Sequence, residues 1–303
     1  MLLSEKYRAT VKEMEDAFSK FERIILLYSG GKDSTLLVLL SLEAMENLSN
    51  ELIIATSDTR VDIPWLERYR SNALSKIKEF ANQRGFKVQT RIVRPQDDYT
   101  FWTNMLGRGY VMPHFRFRWC MRVLKVQPMK SFIKENPGLI LMGVRWGESK
   151  ERDRNMRKRD MKGKWTSYYG IKEAKVFLPI INWTTEEVLS ALSHSPLNSW
   201  INGNFRTGCW VCSVVRKDKC LYSLANNGCI AAKELLDFKN RLIRTTWNEK
   251  NRVKTPKGPG KLKMNIRKKL LEEVIDFSER MKEHISKDII TAGEIKEIQR
   301  MLG

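Results

Sequence analysis

"YSGGKDST", residues 28–35, stands between two apolar runs, Ile24–Leu27 and Leu36–Leu40. The first run, "RIILLYSG", is short, β-branched and ended by glycine, which predicts a buried strand. The second, "DSTLLVLLSLEAM", has helical length and strong helix formers. Between them, Gly30 and Gly31 can take positive φ and, lacking a Cβ, let an anion approach the backbone. The amides of the helix's first turn would point at that anion, and the helix dipole favours it. Ser29, Ser34 and Thr35 add hydroxyls. Asp33 is unusual beside an anion and reads as a Mg²⁺ ligand or as a cap on the turn. An ordinary Gly/Asp turn is the plain alternative, and it leaves the agreement of position, glycines and hydroxyls without a reason. The loop is not a Walker A motif, because Lys32 precedes Asp33 rather than Ser or Thr, and G-x-G-x-x-G is absent.

Outward from this loop the pattern repeats. "ELIIATSD" predicts a second strand, "IPWLERYRSNALSKIKEFANQRG" a helix that stops at Gly85, and "FKVQTRIV" a third strand. "GLILMGVR" and "KVFLPII" predict a fourth and a fifth strand. Strands alternating with helices at this spacing mean an α/β fold, a doubly wound parallel sheet with crossover helices. Residues 5–21 have helical spacing. Residues 97–118 read as irregular, and a helix is expected over Cys120–Glu135. The charge-dense stretch 147–170 has no apolar period and reads as a mobile loop. Thr184 with Glu187 predicts a capping box. The remainder is helical, interrupted by "RVKTPKGPGKLK". These features suggest an N-terminal helix (1–20), an α/β domain (21–195) and a Cys-rich, basic helical C-terminal extension (196–303).

"GVRWGES" follows the fourth strand, at the sheet edge where the glycine loop lies. Gly143 would allow close approach and Arg145 could offer a fork to a phosphate. The plain alternative is a solvated, charged loop.

The 303 residues hold 55 Lys and Arg against 35 Asp and Glu, a net charge of +20 and a pI near 9.8. Such an excess attracts polyanions, nucleic acid first. No apolar stretch is long enough to span a bilayer, and the first residues lack the pattern of a signal peptide, so a cytoplasmic location is expected. Cysteines stay reduced there, which favours metal binding or catalysis over disulfides. Cys209, Cys212 and Cys220 lie in "GCWVCSVVRKDKC", and Cys120 in "FRFRWCMRVLK". Three clustered thiolates and one remote suit an Fe–S cluster, zinc usually prefers two close pairs, and a reactive Cys120 acidified by Arg118 and Arg122 is a third reading. Cys229 reads as a small buried hydrophobe.

Ser-Gly-Gly-x-Asp-Ser resembles the pyrophosphate (PP) loop of the adenine-nucleotide α-hydrolases, a HUP-like fold. That resemblance implies ATP cleavage between the α and β phosphates, with Asp58 near the adenosine. Arg145, Glu148, Ser149 and Arg152 resemble the sulfonucleotide reductase pattern G-x-R-x-x-E-S-x-x-R. With "FWTNMLGRGYVMPHFRFRWCMRVLKVQP", "PIINWTTEEV" and "FRTGCWVCSVVRKDK", the chain is similar to the DndC family of DNA phosphorothioation, with Ssp-type enzymes as relatives. The resemblance implies ATP and Mg²⁺, a [4Fe–4S] cluster on Cys120, Cys209, Cys212 and Cys220, and a cysteine desulfurase supplying sulfur. It further implies other phosphorothioation subunits and DNA as partners, and replacement of a non-bridging phosphate oxygen by sulfur. The basic stretches "RNMRKRDMKGK" and "KNRVKTPKGPGKLKMNIRKK" are candidates for DNA contact. Alternatives on this fold are a sulfonucleotide reductase, a tRNA thiolation enzyme, or a non-catalytic, nucleotide-gated scaffold. The tail "EIQRMLG" lacks the reductase cysteine.

Overall fold

The computed structural model describes residues 3–158, 163–193, 195, 208–215 and 218–303. The chain forms two compact units, Met1–Ser57, Arg68–Val93 and Lys130–Asn204 in the first, and Asp58–Glu67, Arg94–Met129 and Phe205–Gly303 in the second. Asp58–Glu67 and Arg94–Met129, inside the stretch 21–195, thus belong to the second unit.

The first unit is built on a six-stranded sheet in the order β3-β2-β1-β4-β6-β5. Its strands are β1 (Arg23–Leu27), β2 (Glu51–Ser57), β3 (Val88–Val93), β4 (Leu139–Met142), β5 (Trp165–Tyr168) and β6 (Ile171–Phe177). All neighbours are parallel except β5 and β6. From β1 the chain winds outward to β2 and β3, then returns to β4 on β1's other side. The switch point therefore lies between the carboxyl ends of β1 and β4, where open α/β sheets bind ligands. Helix α2 (Lys32–Ala44) is buried nearly all round, as its continuous apolar run requires. It shares a core with Ile24, Leu26, Leu52, Ile54 and Leu141, which α1 (Leu3–Phe18) joins through Met14 and Phe18.

Two sequence expectations fail in this unit. The supposed mobile loop 147–170 contains α6 (Lys150–Lys158) and strand β5. Lys, Glu, Arg and Met are good helix formers, but among the side chains of α6 that are described only Met156 is buried, so no apolar period shows. β5 is a polar edge strand whose Trp165 stacks on Phe177 at 4.6 Å between ring centroids. The predicted fifth strand starts earlier, at Ile171, and ends at Phe177. The capping box forms as expected: Glu187 N–H donates to Thr184 Oγ1 at 3.2 Å and Thr184 N–H to Glu187 Oε2 at 2.7 Å. It opens α7 (Thr185–Ser193).

The second unit is helical, with α8 (Lys219–Asn226), α9 (Ile230–Trp247), α10 (Met264–Ile285) and α11 (Ala292–Leu302). The stretch read as irregular, 97–118, supplies core side chains instead. Phe101, Trp102, Met105 and Leu106 are buried, the last two in a π turn at Thr103–Gly107. Trp102 donates to Ile289 O at 2.7 Å, and Phe238 stacks on Phe277 at 4.0 Å. The expected helix after 118 starts as α4 (Trp119–Met121) and passes a π turn, Arg122–Val126, into α5 (Gln127–Glu135). "RVKTPKGPGKLK" forms an antiparallel hairpin, β7 (Arg252–Thr255) and β8 (Gly258–Leu262). Before α11, Thr291 and Glu294 form a second capping box. Thr291→Ala is expected to lower stability by about 1 kcal/mol, and Thr291→Ser to restore most of it, as read by urea denaturation. Equal midpoints for all three proteins would show the cap to be inert.

Candidate functional site

The glycine loop forms where the sequence places it. Gly30 has φ +81°, a conformation that L side chains rarely adopt, and a Cβ there would meet the Tyr69 ring and the Arg70 stem at 3.7 Å. Gly31 is the N-cap of α2, at φ −90° and ψ 165°. That backbone suits any residue, and a Cβ there would meet nothing nearer than Ser29 Oγ at 3.5 Å. The local fold does not need glycine at position 31, and its absent side chain leaves room beside the helix N-terminus. Ser29 Oγ and Ser34 Oγ lie 3.2 Å apart. Ser34 and Thr35 hydroxyls donate to Gly31 O at 2.9 and 3.0 Å, fixing the turn. Tyr28 backs the loop, 3.4 Å from the Thr35 hydroxyl, and burial pushes its phenol up to about 12.

Gly143, expected to let a phosphate approach, packs closely against protein. A Cβ there would lie 3.1 Å from Asp33 C and 3.2 Å from Asp33 O and Ser34 N. The end of β4 thus abuts the first turn of α2, with no room for a side chain.

Arg145 departs from expectation. It is 1% exposed, and its guanidinium is committed to protein. Nε donates to Asp33 Oδ1 at 2.6 Å, one terminal nitrogen to Trp183 O at 2.9 Å, and the other to Thr185 Oγ1 at 3.3 Å. Burial among these acceptors makes it a positioning residue for Asp33 rather than an open phosphate fork. Asp33 makes no capping bond; its other oxygen pairs with Lys32 Nζ at 2.9 Å. Arg145 and the loop come together as the sequence suggested, whereas Thr185, reached through the chain turn after β6, gave no sequence signal.

Asp58, directly after β2, belongs to the second unit. Its carboxylate accepts from Arg94 Nε at 2.7 Å and from Arg60 N–H at 2.8 Å, closing a turn in which Arg60 takes φ +63°. Burial opposes its ionisation, yet Arg94 and the Arg60 amide outweigh it and hold the carboxyl below its ordinary value.

The four expected cluster ligands all lie in the second unit, but they are not gathered. Among the described residues, no three Cys, His, Asp or Glu side chains converge to hold a metal ion. Cys120 and Cys209 each feel the charge of Cys212, whereas Cys220 feels Asp218. Cys209 instead donates to Asp62 Oδ1 at 3.5 Å and lies 3.2 Å from Thr59 Oγ1. Backbone bonds Ile63 N–H to Gly208 O and Trp210 N–H to Val61 O, each 3.0 Å, join the two segments. The thiols as placed do not fit a cluster, and no chemistry is derived through one. Cys120 is not acidified either. Burial and then Cys212 raise its thiol, and the Arg118 guanidinium lies over the Phe115 ring at 5.5 Å. Burial, then Asp62, pushes Cys209 up to about 12, and burial, then Asp218, pushes Cys220 up to about 11. Cys229 is half-buried at the N-cap of α9, against the second unit's core. Phe205–Thr207, Arg216 and Lys217 of the Cys-rich motif, and residues 159–162 of the first basic stretch, lie outside the described residues.

The family model for the phosphoadenosine phosphosulfate reductase domain matches residues 23–215, a span that includes the glycine loop, Arg145 and both Cys209 and Cys212. The chain belongs to that family. It is 26% identical over 212 residues to Uncharacterized protein MJ0066 of Methanocaldococcus jannaschii, covering 68% of this chain. It spans 39% of that relative's length. Among solved structures it is similar to the U34-tRNA thiolase NcsA of Methanococcus maripaludis with its [4Fe-4S] cluster, at 15% identity and a TM-score of 0.42, over 78% of this chain and 80% of that one. It is also similar to the NH3-dependent NAD synthetase of Campylobacter jejuni, at 14% identity and a TM-score of 0.40, over 81% and 95%. No helix among the described residues is long and apolar enough to cross a membrane.

Proposed function

We propose that this protein is an ATP pyrophosphatase that adenylylates a DNA backbone phosphate for sulfur insertion. The observation that carries the reading is the room at Gly31, at the N-terminus of α2 and the sheet's switch point, with the Ser29 and Ser34 hydroxyls beside it. Backbone amides and hydroxyls so placed suit the β and γ phosphates of ATP. A DNA phosphate oxygen attacks the α phosphorus, the bond from that phosphorus to the bridging oxygen breaks, and pyrophosphate leaves. Hydrosulfide, freed from the desulfurase persulfide by a thiol reductant that ends as a disulfide, then attacks the DNA phosphorus. The bond from that phosphorus to the oxygen it shares with AMP breaks, so oxygen leaves with AMP and sulfur stays on the DNA. Of Asp33's oxygens, Oδ1 is committed to buried Arg145; Oδ2, paired with half-exposed Lys32, is the one able to exchange partners. It would hold the Mg²⁺ that accompanies ATP and neutralises its charge. The net charge of +20 supports a polyanionic substrate. A cysteine desulfurase and further phosphorothioation subunits complete the reading as sulfur source and partners.

The test is product analysis with labelled ATP, with and without DNA, followed by mass spectrometry of nuclease-digested DNA after adding desulfurase, cysteine and a thiol reductant. AMP, pyrophosphate and phosphorothioate dinucleotides are expected. ADP and phosphate would sink the assignment of the loop. Pyrophosphate stimulated by tRNA and not by DNA would move the protein to tRNA thiolation.

A further inference from the structure

The second unit has a cavity of about 520 Å³ that the ATP chemistry does not use. Its rim is a tight turn. Phe117 N–H donates to His114 O at 2.9 Å and His114 N–H to Phe117 O at 3.4 Å, which leaves Phe115 and Arg116 at the tip. Phe115 is 77% exposed and Phe117 of the same turn 41%, so the turn presents apolar rings to solvent together. Trp247 also lines the cavity, its ring edge-on to His114 at 6.3 Å between centroids, and its indole N–H donates to Met112 O at 3.0 Å. Its ring is thereby oriented yet still 42% exposed. Lys239 also lines the cavity, only 4% exposed and in no ion pair among the described residues, although the Asp218 carboxylate acts on it from farther off. Burial disfavours this ammonium more than the distant Asp218 favours it, and a cavity beside it suits a ligand that brings an anion into contact.

We propose that this cavity takes one unstacked nucleotide of a single nucleic-acid strand, its base against Phe115 and Trp247 and its phosphate at Lys239. Aromatic faces beside cations are the usual means of holding single strands. A base in a duplex has both faces stacked and its edge paired, so it cannot enter. Arg116 at the tip is placed for the phosphate of a neighbouring nucleotide, which favours a polymer over a free nucleotide. The inference deepens the proposed function by naming how its nucleic acid is held, and it rests on nucleic acid being the substrate.

The experiment is fluorescence anisotropy with labelled oligonucleotides, without ATP, at several salt concentrations. Single-stranded DNA, single-stranded RNA and duplex DNA are compared. Single strands should bind more tightly than duplex, and the DNA and RNA arms identify which strand is preferred. Phe115→Ala, an exposed site that cannot disturb the core, should weaken single-strand binding about tenfold. Lys239→Met should lower the slope of log K against log salt by about 0.7. Duplex bound as tightly as single strands overturns the proposal, as does unchanged affinity in Phe115→Ala. In either case pyrophosphate release, measured separately, still stands or falls on its own. Lost pyrophosphate release with strand binding retained would remove the ATP reading and leave the cavity's role intact.

Discussion

Gly31→Val is expected to cut pyrophosphate release by at least about 100-fold while leaving the thermal midpoint nearly unchanged. The two halves of this expectation come from different atoms. The backbone at position 31, φ −90° and ψ 165°, lies in the extended region where valine is comfortable. A Cβ would touch only Ser29 Oγ, at 3.5 Å. Folding therefore loses little. The added methyl groups would fill the room beside the first amides of α2, where phosphates must come within hydrogen-bond distance. Gly143→Ala provides the contrast, because its Cβ would press on the backbone of Asp33 and Ser34 at 3.1–3.2 Å. That variant should lose stability and turnover together. Measuring pyrophosphate release and melting in parallel separates a glycine kept for a ligand from one kept for the fold. Full turnover in Gly31→Val, or a melting loss as large as that of Gly143→Ala, would sink the phosphate reading of the loop.

The parallel sheet was legible because its strands are buried on both faces and so read as continuous apolar runs, as in "RIILL" and "ELIIATS". The loop was legible because its signals are local: two glycines, hydroxyls and the strand-to-helix change fall within eight residues. What escaped was whatever depends on distant partners or on exposed elements. β5 and α6 present few buried side chains, so their patterns look like solvated chain. Arg145 advertised a charge, but its partners Asp33, Trp183 and Thr185 stand 112, 38 and 40 residues away, and nothing local says that the charge is already spent. The cysteine spacing suggested one ligand set, yet spacing does not say which way each thiol points. Cys209 turns to Asp62 and Thr59, and Cys220 lies beside Asp218. The aromatics of 97–118 were visible, but their use as the core of a unit assembled from three chain segments was not.

Arg145→Met is expected to destabilise the protein by about 3 kcal/mol, within the range for breaking one side of a buried ion pair. The guanidinium carries three bonds at once, and methionine fills its volume without replacing any of them. The Trp183 carbonyl would lose its side-chain donor, and Asp33 would keep only Lys32, itself partly in solvent. That remaining pair moderates the loss without removing it. Arg145→Lys should recover little, because one ammonium cannot span Asp33, Trp183 and Thr185 together. The double variant Asp33→Asn with Arg145→Met should be more stable than the sum of the single losses allows, since the uncompensated carboxylate is then gone. A coupling of about 1–3 kcal/mol by chemical denaturation would establish Arg145 as the group that holds Asp33 in place. Additive losses, or a single-variant cost under about 1 kcal/mol, would mean that the pair contributes no more than a surface contact and that Asp33 is positioned by other means.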